Sequence, residues 1–169
     1  MKTLTQFINE AVSKAVRPDC SAICKKIEDA IDVLPKDGVC FLLQSSGSML
    51  DVKKGCATEL DKLFSENGYD IYSWDESGHN KLSSVNDLKT TGGHILDICI
   101  ESIEILSKKY KCICVLGDSL YQSDKVSEDA LRKLAKDMNN NLYWFYTDDA
   151  YNNPSNAFAK MLNKTINCA

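Results

Sequence analysis

Five consecutive apolar residues, Val39-Cys40-Phe41-Leu42-Leu43, run straight into Gln44-Ser45-Ser46-Gly47-Ser48-Met49, and a helical pattern follows from Leu50. A strand with no polar alternation is buried on both faces, as strands are inside a parallel sheet. Parallel neighbours need crossover connections, usually helices. A second non-alternating apolar run spans Cys112 to Leu116 and ends in Gly117-Asp118-Ser119. These two runs confine the chain to an α/β fold. The expected architecture is a doubly wound, mostly parallel, Rossmann-like sheet with helices on both faces.

The remaining pattern fits that frame. Leu4, Phe7, Ile8, Ala11, Val12, Ala15 and Val16 recur at helical spacing up to Pro18. A second helix is expected from Cys20 to Leu34, with Ile23, Ile27, Ile31 and Leu34 on one face, before the turn Pro35-Lys36-Asp37-Gly38. Helices are also expected over Val52 to Phe64, Ile95 to Leu106, Ser127 to Met138 and Ala157 to Leu162. Tyr69 to Trp74 and Leu142 to Tyr146 read as strands, and a short strand is expected near Lys81 to Ser84. The division that follows is an N-terminal helical extension over 1–36 and a main domain over 37–169.

The chain has 169 residues, enough for one domain. Its net charge of -4 comes without a Lys/Arg cluster, which argues against nucleic acid as a partner. No apolar run approaches the ~20 residues that span a bilayer, so a membrane is not expected as a partner either. Eight cysteines are many for this length. Only Cys112 and Cys114 form a close pair, and they lie inside a strand, whereas zinc sites draw on two close pairs in loops. The expectation is reduced cysteines that pack as small apolar side chains in a cytoplasm-like compartment.

Three loops should meet at the C-terminal edge of the sheet, the edge where ligands bind in open α/β folds. They carry Gln44, Ser46 and Ser48; Thr90-Thr91-Gly92-Gly93-His94; and Gly117-Asp118-Ser119. Their order and spacing resemble those of von Willebrand factor A (vWA) domains, over about Gly38 to Met161. In that family Asp-x-Ser-x-Ser, a Thr after a Gly-Gly pair and a later Asp hold one divalent cation, the metal-ion-dependent adhesion site. Carried over, the resemblance implies Ser46, Ser48 and Asp118 as metal ligands, with Gln44 and His94 in place of the first carboxylate and the threonine. Thr91 lies close by, but the Gly-Gly spacing aligns His94 better.

Those two replacements disfavour magnesium. Mg²⁺ prefers hard oxygen ligands including carboxylates, Gln44 is neutral, and imidazole suits softer metals. The expectation is a degenerate site with no resident cofactor, Mg²⁺ or another divalent cation being the alternative. His94 paired with Asp118 would fill the ion's place. The hydroxyls and the helix opening at Ser48 would then favour an anionic group from a partner.

No catalytic motif is found. Ser46-Gly47-Ser48 is not the Gly-x-Ser-x-Gly elbow of α/β-hydrolases, and no phosphate-binding glycine pattern occurs. Trp74 and Asp75 end a strand near the site, Trp74 as a core or rim aromatic. Asp51 and Asp124 read as helix caps or solvated charges, and His79 as an exposed loop residue. Tyr143-Trp144-Phe145-Tyr146 reads as a buried aromatic strand. Met1 to Ala11, with Ile8-Asn9-Glu10 before Ala11, resembles the cleaved capsid-targeting leader of internal head proteins in T-even-type tailed phages. The combined expectation is a non-enzymatic module that binds another protein through the sheet edge, in a bacterial cytoplasm or a virion. The alternatives are a virion or internal head protein cut after Glu10, a cation-dependent adhesion module, and a metal-dependent accessory enzyme.

Overall fold

A computed structural model describes residues 20–91, 96–117, 125–147 and 165–167. In chain order the elements are α1 (Cys20–Ile31), β1 (Val39–Gln44), a 3₁₀ turn (Gly47–Met49), α2 (Leu50–Glu66), β2 (Asp70–Asp75) and β3 (Gly78–Leu82). A second 3₁₀ turn (Val85–Asp87), α3 (Leu96–Leu106), β4 (Cys112–Gly117), α4 (Lys125–Asp137), β5 (Leu142–Tyr146) and β6 (Thr165–Asn167) follow. Among the described residues the sheet has six strands, in the order β3-β2-β1-β4-β5-β6. All neighbours are parallel except β2 and β3. The α/β fold and mostly parallel sheet read from the sequence are therefore present.

The central strands show why non-alternating runs were needed. Along β1, Val39, Phe41 and Leu43 join one apolar cluster, and Cys40 and Leu42 join another. Side chains of a strand point alternately to its two faces, so the clusters lie on opposite sides of the sheet. β4 divides likewise, Cys112, Cys114 and Leu116 against Ile113 and Val115. The first cluster is completed by Ile23, Ile27 and Ala30 of α1 and by Val52, Cys56, Leu60 and Phe64 of α2. The second is completed by Leu96, Cys99 and Ile103 of α3 and by Leu131 and Leu134 of α4. At roughly 1.5–3 kcal/mol per large apolar side chain buried, these two cores dominate the folding energy.

α1 falls within the segment set apart by sequence as an extension, yet Ile23 and Ile27 are wholly buried against the sheet. It ends where the Val33 and Leu34 amides close back on the Ala30 carbonyl, just before Pro35. The first expected helix and the expected helix at Ala157 to Leu162 lie outside the described residues.

Three local expectations need correction. The short strand lies at Gly78–Leu82 rather than Lys81 to Ser84. It forms a tight antiparallel hairpin with β2, in which Asp75 pairs with Gly78. Asp75 accepts from the Ser77 amide at 2.8 Å, and Gly78 takes φ +115°, a conformation that disfavours any side chain. Ser84, expected at the strand's end, instead caps the second 3₁₀ turn in a reciprocal arrangement with Asp87. The cysteines are not all reduced: Cys20 and Cys56 form a disulfide with a Cα–Cα distance of 5.2 Å.

Candidate functional site

The site is built where β1 stops. Cys40 to Gln44 pair in register with β2, and Val39 to Leu43 with β4, so the end of β1 is pinned from both sides. The Ser45 amide still donates to the Trp74 carbonyl at 3.0 Å, which extends the pairing by one residue. The chain then turns through Gly47–Met49, closed by the Met49 amide on the Ser46 carbonyl at 3.1 Å, and enters α2. No side chain caps the start of α2: Met49 holds the N-cap position without a side-chain hydrogen bond. The 3₁₀ turn runs on into α2, the Leu50 amide donating to the Gly47 carbonyl, and the positive end of the helix dipole faces the sheet edge.

Ser46 and Ser48 are brought together, with their Oγ atoms 2.6 Å apart. Ser46 is 3% exposed and Ser48 is open to solvent. Two other segments wall this turn. A Cβ on Gly47 would lie 3.9 Å from the Thr90 carbonyl, and Lys53 Nζ donates to the Leu88 carbonyl at 2.8 Å. On the other side the Thr147 amide donates to the Gly117 carbonyl at 3.1 Å, and its hydroxyl approaches Met49 Sδ at 3.8 Å. Thr147 and Lys53 are the contributors that sequence reasoning missed. The signal for Thr147 was a polar residue directly after an apolar strand, the same pattern that marked Gln44.

Gln44 does not join the two serines. It is completely buried, and its side chain lies over the end of β4. The place a Cβ would take on Gly117 is 2.3 Å from Gln44 Oε1 and 2.8 Å from Gln44 Cβ. Only a residue without a side chain allows this approach. Gln44 faces Trp74 in the β1–β2 register, and the Trp74 and Trp144 rings meet edge to face at 6.2 Å. Trp74 is 1% exposed, as a core aromatic should be, and Tyr143, Trp144 and Phe145 are buried as expected.

His94 and Asp118 lie outside the described residues, as do Asp124 and the leader-like Met1 to Ala11. Thr91 is described and exposed. Asp75 is spent on its own turn, where the Ser77 hydroxyl and amide hold its carboxyl below the usual value. Asp51 sits exposed in the first turn of α2 and is not its cap. His79 is not a free loop residue: it lies on β3, half-buried, edge to face with Tyr72 at 6.0 Å. Burial pushes the Cys40 and Cys99 thiols well up, so neither is poised as a nucleophile. Among the described residues no cluster of three or more His, Cys, Asp or Glu side chains suits a metal ion. No helix among them is long and apolar enough to cross a membrane.

No protein-family model matches the chain, and no curated protein matches it in sequence.

Proposed function

We propose that this chain is a non-enzymatic recognition module of the vWA type. It engages a partner protein through the loops at the C-terminal edge of its parallel sheet. The observation that carries this reading is the turn after β1. Two serine hydroxyls converge at 2.6 Å beside the start of a 17-residue helix that no side chain caps, with Thr90 and Thr147 closing the sides. Hydroxyls and a helix N-terminus donate hydrogen bonds well to an acidic group. Gln44 supplies no charge and is turned into the core, which favours recognition that does not depend on a cation.

The test has two arms. Calorimetric titration with Mg²⁺, Mn²⁺ and Zn²⁺, with Asp118→Ala as control, should show no site-specific heat. Binding that Asp118→Ala abolishes would replace this reading with an ion-bridged adhesion site. Photo-crosslinking from position 48, with position 108 on the opposite edge as control, should capture a discrete partner only from position 48. The capture should fail when Ser46 and Ser48 are both alanine; equal capture from both positions would refute the reading. The proposed tailed-phage origin rests on Met1 to Ala11 alone, and its check is cleavage between Glu10 and Ala11 in mature particles.

A further inference from the structure

Gly55 is out of place by helix energetics. It sits in the interior of α2, exposed, where glycine costs about 0.5–1 kcal/mol relative to alanine. Its backbone does not take a left-handed conformation that would require glycine. What it faces explains it: a Cβ there would lie 3.3 Å from Cys20 Sγ. The missing side chain leaves the Cys20 sulfur room to reach Cys56, and Gly55 itself is exposed. Cys56 itself is completely buried, while Cys20 is half-buried at the first residue of α1. The bond joins residues 36 apart and fastens the start of α1 to the middle of α2.

We propose that Cys20 and Cys56 form a thiol–disulfide switch. An external dithiol opens it from the Cys20 side, through the gap left by Gly55, and its state sets how firmly the first turn of α1 is held against α2. One thiolate of the dithiol attacks Cys20 Sγ. The Cys20–Cys56 bond breaks, and Cys56 leaves as a thiolate that takes a proton from water. The second thiolate then attacks its own partner sulfur in the mixed disulfide, expels Cys20 as a thiolate and closes a cyclic disulfide. The protein gains two electrons and two protons, and the dithiol loses them.

Opening is local. Ile23, Ile27 and Ala30 keep the rest of α1 on the sheet, so the change concentrates at its first turn. Cys24, one turn along α1, does not compete for Cys20. Burial and the Glu59 and Glu28 carboxylates raise its thiol, so it stays protonated.

The experiment is reduction of the air-oxidised chain with dithiothreitol, followed by alkylation and peptide mapping, thermal unfolding and amide hydrogen exchange. Cys20 and Cys56 should label only after reduction. The midpoint should fall by about 8–16 °C, from the loop-closure entropy of a 36-residue separation in a chain of this size. Exchange should rise in the first turn of α1 and not in β1. Gly55→Leu should slow reduction several-fold, and Cys24→Ser should leave both states as they are. Equal labelling of Cys20 and Cys56 before reduction, an unchanged midpoint, or Gly55→Leu reduced at the wild-type rate would each overturn the proposal. Should Gly55→Leu fail to fold, Gly55→Ala provides the same rate comparison.

Discussion

Gly117→Ala is the most direct probe of how the site is built. The new methyl group would meet three atoms of Gln44: Oε1 at 2.3 Å, Cβ at 2.8 Å and Cδ at 3.2 Å. The amide end can swing away, but Gln44 Cβ cannot. It belongs to a strand paired with β2 on one side and β4 on the other, and the side chain has no exposed surface toward which to move. Overpacking of this kind costs about 1–3 kcal/mol. The immobile Cβ contact places Gly117→Ala in the upper part of that range, at about 2–3 kcal/mol. For a chain of this length that lowers the thermal midpoint by about 4–12 °C.

The assay is urea unfolding followed by far-ultraviolet circular dichroism, with Gln44→Ala and the double variant beside it. Gln44→Ala removes the Oε1 and Cδ contacts and leaves Cβ. The double variant should therefore be more stable than the sum of the singles by at least about 0.5 kcal/mol, yet less stable than Gln44→Ala alone. Strict additivity, or an unperturbed Gly117→Ala, would refute the placement of Gln44 over β4. The reason that Gln44 is unavailable to an ion at the surface would fall with it.

Asp61 accepts from Ser84 Oγ at 2.5 Å and from the buried Val85 amide at 2.7 Å, so Asp61→Ala should cost about 1–3 kcal/mol in denaturant unfolding. The Tyr72 and Tyr110 hydroxyls lie 2.9 Å apart, and Tyr110 also donates to Asp70. Tyr110→Phe removes both bonds and Tyr72→Phe only one, so the first should be the more destabilising, and the reverse ranking would contradict the network. Lys81 and Tyr110 lower the Asp70 carboxyl, with help from Lys109. A depressed carboxylate stabilises the fold above its unfolded value near 3.8, and that contribution is lost as the pH falls through the lower folded value. The stability gap between wild type and Asp70→Asn should thus be present at pH 7 and close below pH 3.8, and added salt should shrink it, because the carboxylate is a third exposed.

The order of elements was legible because the two central strands are buried on both faces and cannot alternate. Val39 to Leu43 and Cys112 to Leu116 announce this in composition alone. β3 was misplaced because what fixes the hairpin is a side chain, Asp75, bonded to the Ser77 amide, and a glycine with positive φ. Both read in sequence as an unstructured polar loop. β6 was not foreseen at all: three residues, Thr165–Asn167, carry too short a pattern to register beside β5. The disulfide was hidden for a different reason. Cys20 and Cys56 are 36 residues apart, and nothing in that spacing reports that α1 and α2 bring their Cα atoms to 5.2 Å. The odd glycine at 55 was the only trace of it, and it is meaningful only once Cys20 Sγ is seen beside it.

The edge site divides along the same line. Ser46 and Ser48 could be named from the resemblance to the vWA loop, and a tight turn of one residue, Gly47, brings their hydroxyls together. Gln44 could be named but not interpreted. As a neutral replacement for a carboxylate it reads as a weakened ligand, whereas strand alternation sets it on the Cys40 and Leu42 side of β1, away from Leu43. Its amide fills the space above Gly117. Restoring a carboxylate at this position would therefore not restore a cation site: Gln44→Asp would bury a charge against Trp74 and Gly117 and destabilise the fold by several kcal/mol or force its own protonation. Gln44 and Gly117 fit each other, and the pair leaves no charge at this end of β1.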